Sequence, residues 1–453
     1  MTRPTWRSDV PGIEWPAVAT DLAASLGALV RQLEDTQWMS ATEIEAHQIH
    51  QLSALARHAA LHAPHFRRRL AQASLRPDDL MSREGLAALP VLRRRELQTA
   101  GADLLSTELP PSHLPVSDNW TSGATGEPVM VRRTGIGHLF WLAMTMRGHL
   151  WHGDDFSRRF AAIRPHFRDY AEQPDWGPPC ALLYRTGAAL ALPIVATARQ
   201  HVEWLARFQP YMLLTFPSIV DAICQYCRRH DFVLPGLETI WTVSETLSPR
   251  VREGAQETLG AKIADIYSSN EVGTIAVQCP DGDGYHVMAE CVIVEILDAE
   301  GRRCEAGEIG RVVVTDLHNF AQPLVRYDIG DYAEAGAPCR CGRGLPTLKR
   351  IIGRERNLAL MPDGTRRYPL TGFHRFRDIA PISQFQLVQR APGAVEVRLV
   401  AEAPVTGAQE SELAAIIRRA LGAPFALSFT YFPDQIPRGA GGKFEEFVCE
   451  IPR

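Results

Sequence analysis

From Asn119 to about Glu290, short apolar runs alternate with segments of helical periodicity, and that alternation leaves the chain few folds to choose from. Tyr211-Met212-Leu213-Leu214-Thr215-Phe216 reads as a strand, Ile219 to Cys227 as a helix and Glu238-Thr239-Ile240-Trp241-Thr242-Val243 as the next strand. Strands separated by helices imply βαβ units and a largely parallel sheet, so the fold class is α/β. Ligands of such sheets bind beyond the carboxyl ends of the strands. Phe216-Pro217-Ser218 and Ser244-Glu245 both fall at such ends.

The flanks differ from this centre. From about Trp15 to Leu75 apolar residues recur at helical spacing, with Leu22, Leu26, Leu29, Val30 and Leu33 on one stripe. Residues 1–117 are therefore expected as a helical lead-in and 118–290 as the α/β core. Over 291–354 strands dominate: Val292 to Leu297 and Gly310 to Thr315 flank a turn at Gly301, the pattern of an antiparallel subdomain. After Arg354 come strands at Phe385–Gln389 and Val395–Ala401, a helix from Gln409 to Leu421 and a strand from Phe425 to Phe432. A small α+β domain over 355–453 accounts for them, with a hinge at Arg354 to Leu358.

A chain of 453 residues exceeds what one core serves. With 45% hydrophobic and 22% charged residues it has the composition of a soluble globular protein. The net charge of -4 gives no footprint for nucleic acid, and the basic runs Arg67-Arg68-Arg69 and Arg93-Arg94-Arg95 are expected on solvated helix faces. No segment is long and apolar enough for a membrane span or a secretory leader, so a cytoplasmic location is expected. Nine irregularly spaced cysteines fit a reducing compartment. Cys224 and Cys227 share one helix face without a partner pair and read as buried packing.

Thr121-Ser122-Gly123-Ala124-Thr125-Gly126-Glu127-Pro128 concentrates small, hydroxyl-bearing and glycine residues. Glycine lets the backbone turn its N–H groups toward an anion, and hydroxyls add donors. No lysine follows the last glycine, so this is not a Walker loop. Taken alone, it is either a phosphate-holding loop or a surface turn.

Four further segments follow: Tyr267-Ser268-Ser269-Asn270-Glu271, Arg326-Tyr327-Asp328-Ile329-Gly330-Asp331, Arg350-Ile351-Ile352-Gly353-Arg354 and Pro437-Arg438-Gly439-Ala440-Gly441-Gly442-Lys443. In order and spacing the five segments resemble the adenylate-forming acyl-CoA synthetase superfamily. With the Leu89-Pro90 entry and the form of the aspartate motif, the chain is most similar to its phenylacetate-CoA ligase branch, and the resemblance runs from Leu89 onward.

That resemblance implies an ATP-dependent acid ligase in which a carboxylate attacks the α-phosphorus of ATP. Thr121, Ser122, Gly123, Thr125 and Gly126 would hold the β- and γ-phosphates, and Glu271 would bind Mg²⁺ through a hard oxygen. Tyr267 would stack on adenine, Asp331 would accept the ribose hydroxyls and Arg354 would reach ribose or phosphates. Ser244, Glu245, Ser268, Ser269 and Asn270 complete the nucleotide site. Lys443 is the candidate catalytic lysine, carried by a small domain that rotates after adenylation so that the CoA thiol can enter.

The chain departs from the family pattern at four places. Ala124 replaces a hydroxyl residue, at a cost of about 1 kcal/mol of phosphate bonding. Asn270 precedes Glu271 where serine or threonine is usual, and Asn357 stands for the hinge aspartate. Met361-Pro362-Asp363-Gly364-Thr365-Arg366-Arg367-Tyr368-Pro369 replaces the glycine-rich loop of the thiol-transfer state. The acyl acceptor is therefore CoA or, with the same adenylation, an amine or a carrier-protein thiol; a non-catalytic nucleotide-binding relative is the third reading. Cys279, His286, Cys339 and Cys341 match a pattern found in the branch and can close a tetrahedral structural Zn²⁺ site, the alternative being unligated thiols. Phe140, Trp141, Trp151, Phe216 and Trp241 are the aromatic candidates for an aryl-acid pocket.

Overall fold

The computed structural model describes residues 5–13, 15–120, 129–282, 284–354, 357–367, 376–433, 435–438 and 444–451. The lead-in contains the helices Asp21–Thr36, Ala41–His62 and Pro64–Gln72. Ser40 and Glu43 form a reciprocal capping box on the second, and Pro64 opens the third at a position that needs no N–H. Of the expected stripe, Leu26 and Leu33 are buried, but Leu22 in the first turn is 44% exposed.

In the first basic run Arg67 and Arg68 are exposed as expected, but Arg69 is not. It is 5% exposed, donates to the carbonyls of Pro90 (2.6 Å) and Val325 (3.1 Å), and is pushed down to about 10 by burial. An arginine on an amphipathic helix can serve as a buried donor where loop carbonyls need partners.

One twelve-stranded sheet dominates the large domain. Ala189–Pro193, Phe160–Arg164, Met212–Thr215, Thr239–Val243 and Lys262–Ser269 lie side by side and parallel, edged by antiparallel Ala171–Gln173. Beyond Lys262–Ser269 the order continues antiparallel through Gly273–Gln278, Tyr285–Val287, Thr347–Arg354, Tyr327–Ala335, Ile309–Asp316 and Val292–Leu297. The strands of 291–354 therefore form no separate sheet. Tyr285–Val287 pairs on both sides, with Gly273–Gln278 and with Thr347–Arg354, and so fuses the two halves.

The parallel half follows from its residues. Met212–Thr215 and Thr239–Val243 are almost wholly buried, as a strand covered on both faces must be. The helices Ala198–Phe208, Pro217–Arg229 and Pro249–Leu259 cover one face around Val220, Ile223 and Ile240. Cys224 and Cys227 are each 1% exposed in that layer. The helix Gly135–His152 packs on the other face with Trp241, Ile275 and Val277.

The small domain has a four-stranded sheet in the order Ala426–Tyr431, Ala394–Ala401, Ile382–Ala391 and Phe447–Cys449. The helix Gly407–Leu421, boxed at Thr406 and Gln409, buries Leu413, Ile417 and Leu421 against it. Ala359–Leu360 pairs with Arg366–Arg367 in a short hairpin that joins the same core, with Leu360 bonded to Gln389 of Ile382–Ala391. Gly353 precedes the junction at φ +104°, and a Cβ there would sit 2.7 Å from Thr246 Oγ1, so both backbone and space require glycine. Among the described residues no helix is long and apolar enough to cross a membrane.

Candidate active site

Three of the five segments meet where the parallel half gives way to the antiparallel one. Tyr267, near the end of Lys262–Ser269, donates its hydroxyl to Asp331 Oδ2 at 2.8 Å. Arg354, paired in register with Asp331 on the neighbouring strand, places Nε 2.9 Å from Asp331 Oδ1 and donates Nη1 to the Ile329 carbonyl at 3.0 Å. The Asp331 side chain is 10% exposed, and its negative charge drives the Arg354 pKa upward. A carboxylate has about four lone-pair directions, so two remain for a diol. Tyr267 is 7% exposed, packed in the core, and its hydroxyl is held well above the usual phenol range by burial and by Asp331. Its hydroxyl is thus committed to orienting Asp331.

Glu271 follows the same strand. Its side chain is 5% exposed and lies 3.0 Å from Arg94 Nη1. Arg94 belongs to the second basic run, in the helix Arg94–Ala100, and its neighbour Arg93 reaches Asp328 Oδ2 at 2.6 Å. Both arginines were expected on a solvated face; Arg93, 53% exposed, keeps to it while reaching Asp328, whereas Arg94, 22% exposed, is turned inward onto Glu271. Ser269 Oγ accepts from the Val272 N–H at 3.2 Å, shaping the turn around Glu271, and the Asn270 carbonyl accepts from Arg133.

A cleft of ≈ 450 Å³, open solvent included, begins at Val272, the residue after Glu271. Phe140, Trp141 and Met144 from the helix Gly135–His152 line it together with Asp316, His318 and Asn319. Phe140 and His318 stack flat at 3.7 Å with an interplanar angle of 7°. Burial pushes His318 down to about 4, keeping the imidazole neutral, and pushes Asp316 up to about 6 although the His318 N–H and Arg133 oppose the shift.

The other aromatic candidates lie elsewhere. Trp241 is 1% exposed in mid-strand and donates Nε1 to Asp154 at 2.8 Å. Trp151 is 9% exposed, under the guanidiniums of Arg147 and Arg343. Phe216 is 2% exposed in the helix-covered core. These three do not line the cleft, because aromatics at the centre of a buried strand or helix face go to the interior.

The two strand ends singled out in the sequence do converge. Ser244, at φ +73°, turns the chain after Thr239–Val243 so that Glu245 reaches the first turn of Pro217–Arg229, accepting from the Ser218 N–H at 2.9 Å. Glu245 also accepts from the Phe444 N–H at 2.7 Å. Contact between this carboxylate and the tail had no signal in the sequence. Lys443 and the segment Thr121, Ser122, Gly123, Thr125 and Gly126 lie outside the described residues; the latter joins the paired strands Val116–Trp120 and Met130–Thr134.

Cys279, His286, Cys339 and Cys341 form a separate cluster whose ligand atoms all lie within 4.8 Å of one another. Cys279 and Cys339 sulfurs are 3.8 Å apart, and Cys341 Sγ is 3.2 Å from His286 Nε2. A tetrahedron with metal–sulfur bonds of about 2.3 Å has sulfur–sulfur edges of about 3.8 Å, so the donor set fits zinc.

A family model described as AMP-binding enzyme matches residues 43–321. The phenylacetate-coenzyme A ligase of Pseudomonas putida is 23% identical over 347 residues, covering 73% of this chain and 74% of that protein. The 2-hydroxyisobutyryl-CoA ligase structure in the postadenylation state with 2-HIB-AMP superposes with a TM-score of 0.72, 22% identity and coverage of 91% of this chain and 90% of that one. The same ligase with 2-HIB-AMP and CoA in the thioesterification state gives 0.60 at 22% identity, covering 92% and 91%.

Proposed function

This chain belongs to the AMP-binding enzyme family, and from that premise we propose that it activates a carboxylic acid with ATP and passes the acyl group to CoA. A carboxylate oxygen bonds to the α-phosphorus as pyrophosphate leaves; the CoA sulfur then bonds to the acyl carbon and AMP departs. One observation carries the assignment of sites: Asp331 is held by Tyr267 and Arg354, and Glu271 follows the strand of Tyr267 and immediately precedes Val272 of an aromatic cleft. Arg354 feels the charge of both carboxylates, so the two belong to one electrostatic unit.

The residues divide the work by chemistry. Asp331 takes the ribose hydroxyls, and Arg354 and Tyr267 keep it aimed. Glu271 supplies the hard oxygen for Mg²⁺, which when bound neutralises the triphosphate; Arg94 holds that carboxylate beforehand. Thr121, Ser122, Gly123, Thr125 and Gly126 are assigned to the phosphates, and Lys443 to the charge that builds between carboxylate and α-phosphorus. Phe140 and Trp141 line the acid's pocket, and the flat Phe140–His318 wall favours an aryl acid, whose face can stack.

Cys279, His286, Cys339 and Cys341 hold a structural zinc in this reading. With four protein donors no position is left for a substrate, so zinc would tie Gly273–Gln278 and Tyr285–Val287 to the loop before Thr347–Arg354.

One observation favours a second acceptor, an amine or a carrier-protein thiol. A short hairpin turned by Pro362-Asp363-Gly364 stands where the branch has its glycine-rich loop. The test is to incubate protein, ATP and an aryl acid with CoA or with small amines and identify the product by mass. An acyl-CoA supports the first acceptor, an amide the second; release of the free acyl-adenylate alone contradicts both.

A further inference from the structure

We infer that Asp316 determines substrate specificity: one oxygen of its carboxylate selects an aryl acid that carries a hydrogen-bond donor, an amino or hydroxyl group, on the ring. This rests on the adenylation reading above and narrows the class of acid. Asp316 ends the strand Ile309–Asp316 and lines the cleft with Phe140 and Trp141. Its Oδ1 accepts from the His318 N–H at 2.9 Å and the Asn319 N–H at 3.3 Å. Oδ2 has no partner among the described residues yet keeps access to solvent, so it is an open acceptor on the cleft.

The neighbouring groups leave that acceptor to the ligand. Asn319 donates to the Arg132 carbonyl at 2.8 Å and accepts from the Gln322 N–H at 3.4 Å, and Thr134 Oγ1 accepts from the Gly137 N–H at 3.0 Å, so both are committed. His318, pushed down to about 4 by burial, is neutral and offers no counter-charge. Arg133 donates to the Asn270 carbonyl and feels the charges of Asp316 and Glu271, and among the described residues no cation is within ion-pair distance of Asp316. The anionic oxygen repels the carboxylate of the acid, which turns instead toward Arg133. An aryl ring seated in the cleft displaces water from Oδ2; without a donor on the ring, the oxygen is left unpaired at a cost the donor-bearing acid avoids. Thr274 also lines the cleft, but its hydroxyl can donate or accept and does not set the sign of the choice.

A plain structural role competes with this one, because Oδ1 shapes the turn that follows the strand. Asp316→Asn separates the two: it keeps an oxygen for the turn and replaces the open acceptor by an amide donor. The probes are pairs of aryl acids that differ only in an amino or a methyl group at one ring position, compared by acid-dependent pyrophosphate exchange at about pH 8, where Asp316 is ionised. Wild-type protein should favour the amino member by about 10- to 100-fold in kcat/KM for at least one ring position, as expected of one hydrogen bond to a charged acceptor. In Asp316→Asn that ratio should fall to about one or below, since a donor then faces a donor. A general loss of folding or activity lowers both members of a pair and leaves their ratio unchanged. Calorimetric binding of the same pairs should give the same ratios without turnover.

A ratio near one in wild-type protein at every ring position, or a preference that persists in Asp316→Asn, would overturn the role. If no acid supports exchange while calorimetry shows the amino preference and its loss in Asp316→Asn, the adenylation reading fails and the selectivity stands; if exchange occurs without the preference, only the selectivity fails.

Discussion

Replacing Arg94 by alanine removes the cation that faces Glu271. The pair is 3.0 Å apart, with side-chain exposures of 22% and 5%. Breaking a fully buried pair costs about 3–5 kcal/mol because the remaining charge has no partner. Arg94 keeps some water, so a loss of about 2 kcal/mol is the reasonable figure. In chelator, the large domain of Arg94→Ala should unfold at a lower temperature than wild type, by about 2–4 °C per kcal/mol. Mg²⁺ with ATP should narrow that gap, since an ion bound to Glu271 in the folded state alone replaces the lost cation by linkage. The assay is thermal unfolding of both proteins in chelator and over a Mg²⁺-ATP series. Equal midpoints in chelator, or a gap that stays constant through the series, would show that Arg94 does not hold a metal-binding carboxylate.

Three other outcomes are expected. Phe140→Ala should raise KM for the best acid and change the ranking of acids, whereas Trp241→Phe should lower stability by about 1 kcal/mol through the lost hydrogen bond to Asp154, which keeps His149, and leave the ranking intact; KM across an acid panel checks both. Asp316 has a folded-state value of about 6, above its ordinary 3.8, so the folded chain holds an extra proton between those values and stability falls as pH rises through that window. Denaturation as a function of pH should show Asp316→Asn free of this slope, worth about 1–3 kcal/mol at neutral pH, with the difference from wild type vanishing below about pH 4. Protein prepared without chelator should carry close to one equivalent of zinc by metal analysis, and less than about one-third of an equivalent would count against the site.

The parts of the molecule legible in the sequence are those governed by local periodicity. The strands Met212–Thr215 and Thr239–Val243, the helix Pro217–Arg229 and, in the small domain, the strands Ile382–Ala391, Ala394–Ala401 and Ala426–Tyr431 with the helix Gly407–Leu421 announce themselves by apolar spacing and turn residues. Pairing between distant strands leaves no such trace. Tyr285–Val287 is short and its two neighbours are remote in sequence, so the fusion of both halves into one sheet was not readable.

The site divides in the same way. Asp331, Arg354, Tyr267 and Glu271 were singled out because their segments carry family spacing, and the structure ties Tyr267 and Arg354 to Asp331. Arg69 and Arg94 were misread because a basic run looks alike whether it faces water or a buried acceptor; the Leu89-Pro90 turn just before Arg94 was the available signal that the run enters the interior. Trp151, Phe216 and Trp241 show the reverse error: aromatic character alone does not separate a pocket from a core, and of the five candidates Phe140 and Trp141 line the cleft. The Glu245 contact with Phe444 joins residues 199 apart, and neither has a local pattern that calls for the other.

The central claim is that the Tyr267–Asp331–Arg354 group, Glu271 and the tail bearing Lys443 act on one ATP molecule. Exchange of labelled pyrophosphate into ATP, run with a panel of aryl and alkyl acids, tests it most directly. The expected result is exchange that depends on an aryl acid and is abolished by Lys443→Ala. Absence of acid-dependent exchange with every acid, or full exchange in Lys443→Ala, would contradict it.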